Sequence, residues 1–252
     1  MICLDNYLLS ALPSAEYHRL IHDQQLVPLA AGDVICESGA TSEYVYFPTT
    51  SVISLMYAME DGSSPEIGLV GNEGMVDVAR FLGGETAQNR AVVTIAGGAL
   101  RMKSRALQSE FARGGPLQRL LLRYTQALIT QIAQIAACNG LHTVEKRLCR
   151  WLLLCHDRAQ SNDLHMTQEF LSRILGSRRE SITISMNHLE SAGLIGGSRG
   201  RVTILNRKAL EASACECYPM IRAEVARLCT RSLEPEPVVT SVHRSPECLP
   251  FG

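Results

Sequence analysis

The sequence predicts an α+β chain built from an N-terminal β-roll, a long helix and a C-terminal winged helix-turn-helix. Three observations carry that prediction. Short runs rich in Val, Ile, Leu and Tyr alternate with Gly, Asp and Ser turns from about residue 25 to 110. A heptad-spaced apolar stripe follows Gly114-Gly115-Pro116. Two short helical patterns then meet at a glycine and an arginine pair in TQEFLSRILGSRRESITISMNHLESAGLI, residues 167–195. The expected parts are 1–113 for the roll, 114–140 for the helix, 141–212 for the winged domain and 213–252 for a C-terminal extension.

Taken in order, residues 1–24 read as short helices. The strand texture lies in GDVICESG, YVYFPTTSVISLMYAMEDGSS, EIGLVGNEG and RAVVTIAGGALRMKS, and GMVDVARFLGG is expected to form one short helix among them. Pro116 opens the long helix at a position where its missing N–H costs nothing, and the helix is expected to end near Asn139. Leu121, Thr125, Leu128, Ile132 and Ile135 follow a 4-3-4-3 spacing. Such a seam packs either on the chain's own roll or against a second copy. The stripe is wide enough for both, and the two-fold dimer is the reading adopted. HTVEKRLCRWLLLCHDRA is a strongly apolar helix. Residues 233–252, rich in Pro, Glu and Ser, are expected to be a disordered tail.

Composition narrows the function. The chain has 252 residues, 46% of them hydrophobic, enough for one large or two ordinary cores. No apolar run is long enough to span a membrane. The N-terminus MICLDNYLLSALPSAEYHRL lacks a basic leader followed by an apolar run, so a cytoplasmic protein is expected. Nine cysteines stand at 3, 36, 138, 149, 155, 215, 217, 229 and 248. The count is odd, and structural disulfides are not expected in that compartment. With no CxxC pair, little supports a zinc or iron–sulfur site, and no metal is expected. Cys215 and Cys217 in ACECY are read as free thiols. The net charge of −1 hides an asymmetry, because residues 141–210 hold 11 Lys+Arg against 6 Asp+Glu. A basic block between acidic ones suits a module that meets phosphate.

The block contains the central motif. Thr167 can cap a helix whose first turn holds Gln168 and Glu169, and Gly176 stops it. Ser177 is expected to cap the next helix, with Glu180 completing a capping box. Ile182, Met186 and Leu189 share one face, and Gly193 ends this helix. Leu194-Ile195, GGSRG and RVTIL then form a two-stranded hairpin, a wing. In this geometry the second helix lies in the major groove of double-stranded DNA. Arg179 can fork onto guanine and Glu180 can accept from a cytosine amine. Arg178, Ser177, Thr167, Arg199 and Arg201 can hold phosphates. Gln168, Ser181, Ser185 and His188 are further candidates. Ile184 points outward, either towards a thymine methyl or against the protein's own tail.

Along nearly its whole length the chain resembles the Crp/Fnr family of transcription regulators. The resemblance rests on the roll, the long helix, and SRRESITISMNHLESAGLI followed by a wing. It implies a β-roll of the cyclic-nucleotide-binding type, a homodimer joined through the long helix and a pseudo-palindromic operator. RNA polymerase would be a further partner of an activator. RRE matches the family's reading pair at Arg179 and Glu180, while Ile184 replaces a second arginine, so the usual half-site preference is not carried over.

The effector elements depart further. In VGNEGMVDVARFLGGETAQNRAVV, Glu73 follows Asn72 rather than Gly, and Arg90 directly precedes Ala91. Ile132 and Ala133 replace polar residues that would reach the base. Cyclic AMP is therefore not expected to bind, and Glu73, Arg90 and Ile132 are the pocket candidates if it does. Other sensors fit poorly. Cys3 stands alone near the N-terminus, His18, His22 and Cys36 do not make a haem site, and Cys149 and Cys155 point to different faces of one helix. The effector stays unidentified. No Ser-His-Asp, HExxH or phosphate-cradling glycine motif indicates an enzyme. The competing reading is an effector-binding protein whose winged helix serves protein interaction.

Overall fold

The computed structural model describes residues 6–159, 161–198 and 200–230. Helices α1 (Tyr7–Ser10) and α2 (Ser14–Ile21) lead into the strands β1 (Gln25–Leu29), β2 (Val34–Cys36), β3 (Tyr44–Pro48), β4 (Val52–Met56), β5 (Glu66–Val70), β6 (Arg90–Ile95) and β7 (Gly97–Lys103). They make two antiparallel sheets, ordered β1-β7-β3 and β2-β6-β4-β5. Val45 and Phe47 of the first sheet and Ile53, Val70 and Val93 of the second share one buried cluster, so the expected roll is present. GMVDVARFLGG does not form an α-helix. Val76 bridges to Tyr46 in extended backbone and Asp77 takes φ +74°, which leaves a single 3-10 turn at Val78–Arg80.

Next come α3 (Ser104–Ala112), α4 (Pro116–Leu141) and α5 (Val144–Ala159). Pro116 starts α4 as expected, and the Glu16 carboxylate accepts from the backbone N–H of Leu117 at 2.8 Å. An anion there complements the open N–H groups of the first turn. The helix runs through Asn139-Gly140 to Leu141, because Cys138 still accepts a bond from the N–H of His142.

The heptad seam needs correction. Leu121, Thr125, Leu128 and Ile135 are buried within their own chain, and Ile132 is half-buried against the roll. The stripe read as a subunit contact is the one the roll takes. The face left in solvent lies about 100° round the helix, and it has the same spacing: Leu122, Gln126, Ile129, Ala133, Ala136 and Gly140. Leu122 is 46% and Ile129 56% exposed.

The remaining elements are β8 (Asp163–His165), α6 (Gln168–Ile174), α7 (Arg179–Ser191), β9 (Ile195–Ser198), β10 (Arg201–Ile204), α8 (Arg207–Ser213) and α9 (Cys217–Thr230). The wing is a three-stranded sheet, β8-β10-β9, rather than a bare hairpin. Its extra strand comes from the segment before α6, where Leu164 alternates into the core between exposed neighbours. Helix α9 runs antiparallel along α4, from Cys217 beside Gln134 to Arg227 beside Arg123. The tail at 233–252, with Cys3 and Cys248, lies outside the described residues.

The roll and the C-terminal half share a core. Val52, Met56 and Leu69 of the roll pack in one cluster with Trp151, Leu152, Cys155 and the inner face of the winged domain. Two buried polar links cross the same boundary. Trp151 Nε1 donates to both carboxylate oxygens of Glu66, at 2.9 and 3.0 Å, and Ser54 donates to Glu66 at 2.6 Å. Arg158 meets Glu73 at 2.7 and 2.8 Å.

Burial pushes the Glu66 carboxyl from its ordinary 4.5 up to about 7, against the opposing pull of Ser54, Trp151 and Arg150. The folded chain thus holds this proton more tightly than the unfolded chain, so stability falls as pH rises from about 4.5 to about 7. Glu66→Gln is expected to flatten that part of the pH profile. Urea midpoints of both proteins at the two ends of the window check this, and equal slopes would remove Glu66 as the cause.

Candidate nucleic-acid interface

The helix pair is built from its caps outward. Thr167 caps α6, its hydroxyl accepting from the N–H of Phe170 at 3.1 Å. Gly176, at φ +53°, turns the chain after Leu175, and Gly193, at φ +71°, ends α7. Both expected stops are there for the left-handed backbone that glycine tolerates. Ile182, Met186 and Leu189 are buried, so α7 has the expected inner face. Arg147 of α5 donates to the Leu175 carbonyl and fixes the turn from below.

The cap of α7 differs from expectation. Arg178 holds the N-cap position and no side chain caps it. Ser177 turns back instead, its hydroxyl donating to the Leu175 carbonyl at 3.1 Å. One residue of added turn moves Ser177 out of capping reach and breaks the box with Glu180. The first N–H groups of α7 therefore have no side-chain cap, at the end where a helix attracts anions.

Around that end the side chains divide clearly. Arg178, Arg179 and Glu180 are exposed, and their side chains make no hydrogen bond or ion pair with another described residue, while the backbone carbonyls of Arg178 and Arg179 accept from Ile182 and Thr183. Ile184 is 70% exposed, so the outward reading holds and it does not pack on described parts of the chain. Ser181 is half-buried. Ser185 points inward: it is buried and donates to the Ser181 carbonyl at 2.9 Å, which removes it from the exposed face. The i−4 spacing puts its hydroxyl back on its own helix. His188 is engaged by Glu145 of α5, Nδ1 to Oε2 at 2.7 Å, at the far end of α7. Gln168 accepts from Thr183 at 2.8 Å and so ties α6 to α7.

Thr167, Gln168, Arg179 and Arg201 border one open cleft of about 500 Å³ between α6, α7 and the wing. Arg201 is exposed at the start of β10. Arg199 lies outside the described residues. The structure thus gathers residues from three segments into one concave surface, with Glu169 and Glu190 also on its walls.

The effector candidates are not gathered. Glu73 faces the Arg158 guanidinium, not a cavity in the roll. Arg90 pairs with Glu37 at 3.1 Å. A cavity of about 280 Å³ does lie in the roll, walled by Leu55, Met75, Asp77, Val78 and Leu128. Neither Glu73, Arg90 nor Ile132 lines it. Arg80 is beside Asp77 at 3.2 Å and is spent on the carbonyls of Ser42 and Glu85. Burial raises the Asp77 carboxyl above its usual range, with Arg80 opposing.

Several structural residues were missed because their partners are remote in sequence. Arg147, Trp151 and Arg158 looked like one apolar helix with incidental charges, yet each makes a buried bond to another part of the chain. An Arg among leucines at positions facing a core is the signal that was available.

Residues 146–213 match the family model of the Crp-like helix-turn-helix domain. No curated protein matches the chain by sequence. Among solved structures, the chain is similar to a putative Crp/Fnr-family transcriptional regulator from Eubacterium rectale, with TM-score 0.65 and 17% identity over 83% of this chain and 99% of that one. FixK2 from Bradyrhizobium japonicum gives 0.64 and 17% over 76% and 98%. A CRP-family transcriptional regulator from Thermus thermophilus gives 0.59 and 20% over 82% and 98%. The protein carries a Crp-like helix-turn-helix domain and has the fold of the Crp/Fnr transcription regulators. Among the described residues no helix is long and apolar enough to cross a membrane.

The two candidate caps separate experimentally. Thr167→Ala removes a formed cap and is expected to cost about 1 kcal/mol. Ser177→Ala removes no cap and is expected to cost clearly less. Denaturant midpoints of the two variants test this, and a larger loss at Ser177 would restore the capping box.

Proposed function

We propose that this protein is a homodimeric, cytoplasmic, DNA-binding transcription regulator that acts without cyclic AMP. The observation that carries the reading is the unengaged Arg178-Arg179-Glu180 group at the uncapped N-terminus of α7, beside a cleft shared with the wing. Arg179 forks onto a guanine edge and Glu180 accepts from a cytosine amine. Arg178, Arg201 and the Thr167 hydroxyl hold phosphates, and Ile184 offers its exposed methyls to a thymine. Gln168 orients α6 against α7.

The dimer forms through the exposed seam of α4, with Leu122 and Ile129 as its apolar centre and Ala133 and Ala136 allowing close approach. Two α7 helices then meet half-sites about one helical turn apart. Against cyclic AMP stands the roll cavity: it is mostly apolar, no arginine lines it, and an acidic residue, Asp77, is among its walls. Desolvating a cyclic phosphate there has no charge-assisted bond to offset it.

The test is recovery of genomic fragments by the purified protein, with and without cyclic AMP, at two salt concentrations. A palindromic motif enriched without nucleotide is expected, with affinity falling steeply as salt rises. Binding of protein partners with no salt-dependent DNA binding would instead favour the protein-interaction reading. Arg179→Ala is expected to lose about 1–3 kcal/mol at the selected site, and wild-type affinity would overturn the assignment of α7. Ile129→Asp is expected to shift the protein to monomers in sedimentation, while a dimer that survives would place the contact elsewhere.

A further inference from the structure

At the C-terminal end of α4, four side chains from two distant segments converge. Cys138 lies in the last turn of α4 and His142 caps its end, while Cys215 lies in the link between α8 and α9 and Cys217 opens α9. The distance from Cys138 Sγ to Cys215 Sγ is 3.5 Å, and that from Cys217 Sγ to His142 Nδ1 is 3.6 Å. All four donor atoms lie within 4.8 Å of one another. Among the described residues no other group of three or more Cys, His, Asp or Glu side chains is placed to share an ion.

We propose that Cys138, His142, Cys215 and Cys217 bind one zinc ion in a tetrahedral Cys3His site. Donors about 2.3 Å from a zinc ion stand about 3.8 Å apart at tetrahedral angles, close to the separations in the structure. The spacing is too tight for a four-iron cluster, in which each thiolate sits on a separate iron.

The surroundings fit the same ion. His142 directs Nδ1 into the group, while its Nε2 meets Glu216 Oε1 at 3.3 Å. A carboxylate on the outer nitrogen holds the tautomer that leaves Nδ1 free to ligate. Gln134 Nε2 donates to Cys217 Sγ at 3.1 Å, a bond a thiolate accepts well. Arg150 is 2% exposed, and its Nε and Nη1 make no hydrogen bond. Its charge acts on both Glu66 and Cys138. Zinc with three thiolates and a neutral imidazole carries a net charge of about −1, which supplies the counter-charge this buried guanidinium lacks.

The position gives the ion a task. His142 ends α4 and Val144 begins α5, so the site sits on the hinge between the long helix and the winged domain. Zinc ties that hinge to α9, which lies along α4. The site stands on its own geometry and does not depend on the DNA-binding reading.

The full-length protein, expressed with zinc and purified under reducing conditions, is expected to hold about one zinc per chain by elemental analysis. Cobalt exchanged into it should give the intense visible bands of a tetrahedral thiolate site and strong thiolate-to-metal absorption. Cys215→Ser and Cys217→Ser should each abolish those bands, while Cys149→Ser, a buried cysteine outside the group, should keep them. Glu216→Gln is expected to weaken zinc about 10-fold. Chelation should lower the melting temperature of the wild type and leave that of a folded Cys215→Ser/Cys217→Ser protein unchanged. Wild-type protein without zinc and without the cobalt bands would overturn the proposal. A Cys138–Cys215 disulfide in place of the metal, or zinc retained by the double variant, would overturn it equally.

Discussion

A carboxylate with almost no access to water holds this molecule together. Glu66 lies on β5 of the roll, and its bonds reach Ser54 on the neighbouring strand and Trp151 in the C-terminal half. A buried acceptor left without donors would cost several times what each bond contributes. The roll and α5 therefore have little freedom to part at this point. Glu73 and Arg158 repeat the arrangement with full charges, and removing either partner would strand the other at a cost of about 3–5 kcal/mol. Gly71 makes room for the pair, since a Cβ there would lie 2.7 Å from the Arg158 Cγ. The apolar residues around these links, Val52, Met56 and Leu69 on one side and Leu152 and Cys155 on the other, supply adhesion without direction. The polar bonds supply the register.

With that junction fixed, α4 becomes a wall used on three sides. One stripe covers the roll, one receives α9, and the third remains in solvent. Each stripe follows from helical periodicity, and their order round the helix decides which partner each meets. Leu128 belongs to the first stripe and also lines the roll cavity. A molecule in that cavity would press on the helix that carries the exposed seam about 100° round from the roll.

Much of this was legible in the sequence. The strands, the start of α4, the caps and stops of α6, and the inner face of α7 follow from local patterns, and local patterns decide them in the structure. The seam of α4 was not legible in the same way. Two apolar stripes 100° apart have identical spacing, and only the roll, which is remote in sequence, chooses between them. Ser177 failed for a smaller reason: a capping box depends on one residue of register, and the turn after Gly176 is one residue longer than the motif requires. Glu73 was assigned to a pocket because its neighbours in sequence pointed there. Its partner, Arg158, is 85 residues away. The cysteines follow the same rule. Cys215 and Cys217 are two residues apart and look idle, and the donors that complete the group are 77 and 75 residues distant.

The long-range groupings share a geometry. Glu66 with Trp151, Glu73 with Arg158, and the Cys–His group all lie along α4, α5 and the strands that face them. None touches the exposed end of α7. On the proposed DNA-binding reading, Thr167 and Gln168 also hold the helix pair together, whereas the side chains of Arg178, Arg179 and Glu180 bond to no other described residue. Substitution at these three exposed positions therefore leaves the bonds that hold the helix pair together in place. At the junction Arg150 is a buried charge whose Nε and Nη1 make no hydrogen bond, set between Glu66 and Cys138.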